Sequence, residues 1–301
     1  MAEAYIVAAT RTAGGRRGGR LSGWHATDLA AEVLDDVVAR AKADPALVDD
    51  VIMGCVSQIG EQSTNVARNA VLASKLPESV PGTSVDRQCG SSQQAIHFAA
   101  QAVMSGFQDV VIAAGVESMS RTPMGSPVKL AQKAGIAEHY MGPNIRERYP
   151  DVPEFSQFMG AEMIAKKYGQ SPDDLHRFAL ESHRRAIAAT EAGRFDKEIL
   201  PLQARLQDGT VLDEMHTVDE GIRFDATLEG IAGVKVLQEG GVINAAVASQ
   251  ICDGATAVMI VNENGLKKLG VEPLARIHHM SVIGHDPVIM LEAPIPATQQ
   301  A

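Results

Sequence analysis

Cysteine is scarce in this chain: Cys55, Cys89 and Cys252 are the only three among 301 residues. An odd, widely spaced set excludes a disulfide framework and lacks zinc-ligand spacing, so we expect no metal site and a reducing, cytoplasmic setting. Aromatic residues make up only 4%. No apolar run reaches the ~20 residues of a bilayer-spanning helix, which excludes a membrane role. The opening residues Ala2-Glu3-Ala4-Tyr5-Ile6-Val7 have no basic stretch and run straight into a strand pattern, unlike a signal peptide. Basic residues are outnumbered by acidic ones, and the net charge of −10 argues against nucleic-acid binding.

What is abundant is Ala, Val and Gly, a mix that suits closely packed α/β layers. Ala4–Ala9, Val51–Gly54, Thr83–Val85 and Asp109–Ala114 read as strands. Between them lie helical patterns: one capped by Thr27 with Leu29, Ala30, Val33, Leu34, Val37 and Val38 on one face, one over Asn65–Ala73, and one over Cys89–Met104. Strands alternating with helices predict a parallel sheet covered on both faces. Residues 120–245 break the pattern with Pro, charge and amphipathic helices at Gln157–Tyr168 and Pro172–Glu191. Strand, helix and strand return at Ala255–Val261, Glu263–Leu269 and Ala275–Val282.

Cys89 stands out chemically, since it follows a strand and opens a helix. Unpaired N–H groups and the helix dipole at that point favour a thiolate. A thiolate is the nucleophile of acyl transfer, and the same N–H groups suit an oxyanion. From the residues alone, Cys89 as nucleophile and Cys89 as packing both stand. Cys55 and Cys252 read as structural, and His97 as a core histidine on the same helix. The basic, glycine-rich Arg11–Arg20 lacks a P-loop ending and reads as a solvated surface or subunit contact.

Asp86-Arg87-Gln88-Cys89-Gly90-Ser91-Ser92-Gln93-Gln94-Ala95 resembles the nucleophile segment of the thiolases. Ala113-Ala114-Gly115-Val116-Glu117-Ser118-Met119-Ser120 is similar to that family's Gly-Glu-Ser-Met-Ser turn. Ala248-Ser249-Gln250-Ile251-Cys252-Asp253-Gly254-Ala255 resembles its third signature. Gly193–Ile199 and Asp219–Arg223 match the loop region between, and the motifs come in the family's order.

The resemblance implies an α/β layered fold (α-β-α-β-α) in which residues 1–119 and 246–272 form the N-terminal half. Residues 120–245 would be an inserted loop domain covering coenzyme A, and 273–301 the start of a truncated second half. It also implies an acyl-CoA C-acyltransferase that forms an acyl-enzyme on Cys89, then cleaves 3-ketoacyl-CoA or condenses acetyl-CoA. Acyl-CoA and coenzyme A are the implied partners, as substrate and product rather than as a resident cofactor, in a homodimer or homotetramer. Arg223, Ser249, Met159 and Ala245 fall at coenzyme A contacts, and Met290 at a substrate-pocket methionine. Glu117 is implied as a structural carboxylate that binds a turn.

The sequence departs from the family as well. Phe158 stands where a histidine often precedes Met159, and Ala246 and Val247 replace a glycine and an asparagine. The family's second-half histidine, second cysteine and asparagine segments are not among these residues, and Gly284-His285-Asp286-Pro287 does not match the histidine motif. The expectation is therefore a thiolase lacking most of its second half. Two alternatives are a shortened, non-catalytic homologue that binds acyl-CoA and a ketoacyl synthase of the same fold.

Overall fold

The computed structural model describes residues 2–136 and 139–301. Its strands are β1 (Tyr5–Thr12), β2 (Gly15–Arg16), β3 (Asp50–Gly54), β4 (Gly82–Val85), β5 (Val110–Ser118), β6 (Ile199–Leu200), β7 (Leu202–Arg205), β8 (Val211–His216), β9 (Cys252–Val261) and β10 (Ala275–Arg276). Its helices are α1 (Ala26–Arg40), α2 (Val66–Ala73), α3 (Ser91–Ser105), α4 (Ser126–Lys133), α5 (Pro143–Arg148), α6 (Gln157–Lys167), α7 (Pro172–Glu191), α8 (Leu228–Ala232), α9 (Glu263–Leu269) and α10 (Pro294–Gln300).

The main sheet runs β10-β1-β9-β5-β3-β4, with β2 added to β9 and β6 to β1. β4, β3 and β5 are parallel, as the strand–helix alternation predicts. β9 corrects the expectation of an all-parallel sheet: it lies between β1 and β5 and is antiparallel to both. It reaches the sheet only after the long excursion that follows β5, so no right-handed helical crossover sets its direction.

One face of the sheet is a core in which Leu29, Val33, Leu34 and Val37 of α1 and Ala67 and Ala70 of α2 pack on Met53, Ile112, Ala257 and Met259. Each fully buried Leu, Ile, Val or Met side chain contributes roughly 1.5–3 kcal/mol. α3 covers the opposite face over β3 and β5. On β9 the alternate residues Gly254, Thr256 and Val258 stay half-buried.

α1 is capped by His25, whose Nδ1 accepts from the Thr27 N–H at 3.3 Å, rather than by Thr27, which is buried inside the first turn. The strand expected over Ala275–Val282 is only the two-residue β10, because hydrogen-bond pairing with β1 stops after Tyr5 and Ile6.

The chain divides into two compact units. One gathers the residues through Lys129 with Phe195–Gly221 and Ile251–His278; the other consists of Leu130–Arg194, Ile222–Gln250 and His279–Ala301. Residues 195–221 thus go with the sheet, although the sequence reading placed them in the insertion. The reason is local. β6 extends β1, and Arg11 on β1 bonds Glu198 at 2.7 Å and Asp219 at 2.7 and 3.1 Å. The arginine-rich loop is folded around one carboxylate: Glu220 accepts from the N–H groups of Arg16 at 3.1 Å and Arg20 at 2.9 Å.

Candidate active site

Cys89 sits in a short turn between β4 and α3, and its side chain is exposed. The helix starts at Ser91 with Gly90 as its cap, two residues later than the sequence suggests. The turn is held by one buried hydroxyl: Ser91 Oγ donates to the Gln88 carbonyl at 2.6 Å and accepts from the Arg87 N–H at 2.9 Å. The N–H groups of Gly90 and Ser91 add bonds to Arg87 and Gln88 carbonyls at 3.1 and 3.0 Å. Gln88 has φ +47°, a left-handed conformation that is disfavoured for a residue with a Cβ. The Ser91 hydroxyl bridging both sides of that residue is what holds it there. Among the described residues no hydrogen bond or ion pair engages the Cys89 sulfur, so it is left open to a ligand.

The first turn of α3 lies directly on two paired glycines, Gly54 of β3 and Gly115 of β5. A Cβ on Gly54 would fall 2.3 Å from the Ser92 nitrogen, and one on Gly115 would fall 1.9 Å from Ser92 Oγ. The sheet therefore sets the depth of the helix end, and with it the place of Cys89. The next turn is organised by Glu117, which accepts from the N–H groups of Val56 at 2.8 Å and Ser57 at 3.2 Å and from Gln62 Nε2 at 2.9 Å. This is the structural carboxylate that the sequence suggests.

The other two cysteines are poor nucleophiles. Burial, aided by the nearby Glu117 and Asp86 charges, pushes the Cys55 thiol up to about 12. Cys252 is also pushed up, by burial first and then by Asp253 and Asp219. His97 is buried, and burial followed by the Arg87 charge lowers its pKa, so it is a neutral core histidine.

Met159, Arg223, Ala245, Ser249 and Met290 all belong to the second unit, whereas Cys89 belongs to the first. Within the second unit α6 ties several of these positions together. Met159 lies on its first turn, exposed, its N–H donating to the capping Ser156 Oγ at 3.4 Å. Glu162 accepts from the N–H groups of Val242 and Ile243 at 2.9–3.0 Å, anchoring the loop that leads to Ala245. Asn244, buried, accepts from the N–H groups of Ala246 at 2.9 Å and Val247 at 3.1 Å and donates to the Ile231 carbonyl at 3.0 Å. Ala245, within this turn, and Ser249, just after it, are exposed. Arg223 is exposed, with its N–H on His183 Nδ1 at 3.3 Å.

Ser91, Glu162 and Asn244 escaped the sequence reading. For Ser91 a signal was present, a Ser just before the apolar helical run. Glu162 and Asn244 carry none, because their partners are backbone groups of distant or irregular segments.

The comparisons with known proteins agree on one family. The family model described as "Thiolase, N-terminal domain" matches residues 4–264. The steroid 3-ketoacyl-CoA thiolase FadA6 of Mycobacterium tuberculosis is 48% identical over all of this chain and 72% of its own length. A 3-ketoacyl-CoA thiolase of Shewanella denitrificans is 39% identical over all of this chain and 75% of its own length. Among solved structures, the acetyl-CoA acetyltransferase of Bacillus anthracis superposes with a TM-score of 0.86 at 32% identity, over all of this chain and 75% of that one.

Proposed function

This chain belongs to the thiolase family, an acyltransferase family, and from that premise we propose how its residues divide the work of acyl transfer. The Cys89 sulfur attacks the 3-keto carbon of a 3-ketoacyl-CoA and forms a thioester. The bond between carbons 2 and 3 breaks, and its electron pair leaves with acetyl-CoA, which takes up a proton. The thiol of a second coenzyme A then attacks the acyl-enzyme and restores Cys89; run backwards, the same steps condense two thioesters. Coenzyme A enters as substrate and leaves as product, so the chemistry calls for no resident cofactor. No helix among the described residues is long and apolar enough to cross a membrane. Three free cysteines support the cytoplasm as the setting. A homodimer or homotetramer is the proposed assembly.

The observation that carries the assignment of Cys89 is its turn: an exposed sulfur at the end of a helix whose depth is set by Gly54 and Gly115. Arg223, Ala245, Ser249 and Met159 are proposed to contact coenzyme A, supported by their exposure and by the anchoring of their loops through Glu162 and Asn244. Met290 is proposed to line the acyl pocket. Complete turnover also needs a proton acceptor for Cys89 and a second acid or base toward the other substrate.

The test uses two measurements on the same protein. Incubation with acetyl-CoA followed by peptide mass analysis should find one acetyl group on Cys89 and none on Cys89→Ala protein. Thiolysis of acetoacetyl-CoA then separates acylation from full turnover. Acylation at Cys55 or Cys252 instead would remove Cys89 from its role.

A further inference from the structure

Residues 286–292 are strapped along α6 at two points. At the first turn of α6, Gly160 lies under the Ile289 carbonyl, where a Cβ would come within 2.5 Å of that oxygen and 3.6 Å of Met290 Cβ. Two turns later, Lys167 Nζ donates to Glu292 Oε1 at 2.6 Å, and the Tyr168 hydroxyl donates to the same oxygen. Glu292 is buried, 5% exposed, although its lysine partner is half in solvent.

Between these anchors the backbone is forced. Met290 has φ +54°, a left-handed conformation for a residue with a side chain, and the Leu291 N–H closes on the Ile289 carbonyl at 2.5 Å. The Met290 N–H donates to the Asp286 carbonyl at 3.0 Å, and the Val288 N–H to Asp286 Oδ1 at 2.8 Å. A non-glycine residue persists in such a conformation only where its surroundings over-determine it.

We propose that Glu292 is a positioning residue, holding Met290 as a wall that sets which acyl groups the site accepts. This rests on the reading of Met290 as a pocket residue. Met290 supplies the adaptable surface, since a thioether chain repacks easily. Glu292 and Gly160 remove backbone freedom from it, so the pocket's size is limited to what the side-chain rotamers allow. Two donors, Lys167 of α6 and Tyr168 at its cap, converge on one oxygen of Glu292, so the end of this segment is fixed from two side chains at once.

The experiment measures affinities by calorimetry for free coenzyme A, acetyl-CoA and octanoyl-CoA. It uses the full chain carrying Cys89→Ala, so that no acyl group is transferred. Glu292→Gln is added to this background, and Lys167→Met, on the exposed side of the pair, is the second variant should Glu292→Gln fail to fold. We expect relative affinity to shift about tenfold toward octanoyl-CoA, as a released wall stops excluding the longer chain, with free coenzyme A affinity kept within about twofold. A lowered melting temperature with the octanoyl-to-acetyl ratio unchanged would make Glu292 a structural brace only and overturn the proposal. If free coenzyme A fails to bind the background protein, the coenzyme A reading itself fails and this inference falls with it.

Discussion

The backbone nitrogen of Ser92 lies so close over Gly54 that a β-carbon on Gly54 would be 2.3 Å from it. The contact is with backbone, so no side chain can turn aside. Gly54→Ala should cost about 3 kcal/mol, toward the upper end of overpacking effects. It should also slow acylation of Cys89, because the helix end must lift. Gly115→Ala meets the Ser92 side chain, its Oγ at 1.9 Å and its Cβ at 2.9 Å, rather than backbone, and should cost less. Denaturant melts of both variants check the order; a negligible loss in Gly54→Ala would show that the sheet does not set the helix depth.

Alkylation should discriminate sharply among the three cysteines. Cys89 is exposed, Cys55 is buried with its thiol near 12, and Cys252 is pushed upward. Brief iodoacetamide treatment near neutral pH should label Cys89 first, since only the thiolate reacts. Peptide mapping reads the result, and faster labelling of Cys252 would contradict it. Ser91→Ala should cost about 1–2 kcal/mol through its two lost bonds and should change the labelling rate of Cys89 while leaving that of Cys252 alone.

Coenzyme A affinity should depend on the second unit and leave Cys89 alkylation untouched. Arg223→Ala and Ser249→Ala should each weaken coenzyme A binding by about tenfold, near 1.4 kcal/mol. Asn244→Ala should weaken binding and also lower stability, because Asn244 is buried and its side chain ties four backbone groups. Titration calorimetry beside thermal melts separates the two effects. Unchanged affinity in all three variants would remove this loop from the binding site.

The Arg11–Asp219 pair should make stability depend on acid in a defined window. Burial works against the ionised Asp219 carboxylate, but bonds from Arg11 and the Gly14 N–H hold its pKa below the ordinary 3.8. A depressed folded-state pKa gives stability that is complete above the unfolded value and is lost as pH falls through the folded one. The melting-temperature advantage of the unaltered protein over Asp219→Asn should therefore be constant from pH 7 to about 5 and shrink below about 4. An advantage unchanged down to pH 3 would show that the pair contributes through shape rather than charge.

Much of this was legible from local pattern. The apolar face of α1 and the full span of α7 from Pro172 to Glu191 follow from periodicity and caps. The direction of β9 was not legible, because Ala255–Val261 reads as a buried strand whichever way it runs. Nor was the allocation of residues 195–221, which hangs on Arg11 reaching Glu198 and Asp219. At the candidate site, Cys89 was found through its motif. Glu117 was legible as a turn-binding carboxylate, whereas Glu162 and Asn244, which anchor the loop around Ala245, were not, since they act on backbone amides of segments that no residue type announces.

The place of β9 also bears on the order in which the protein can be made. β1 and β5 do not pair with each other; β9 lies between them and joins β1 to the β5-β3-β4 strands. On the ribosome, β1 and the β5-β3-β4 trio emerge early and must wait, edges unsatisfied, while everything from Met119 to Ile251 is synthesised. Exposed edges of that kind invite pairing with another chain. A nascent protein stalled within that stretch is thus the form most exposed to aggregation, and chaperone demand should peak there and fall once Cys252–Val261 has cleared the exit tunnel.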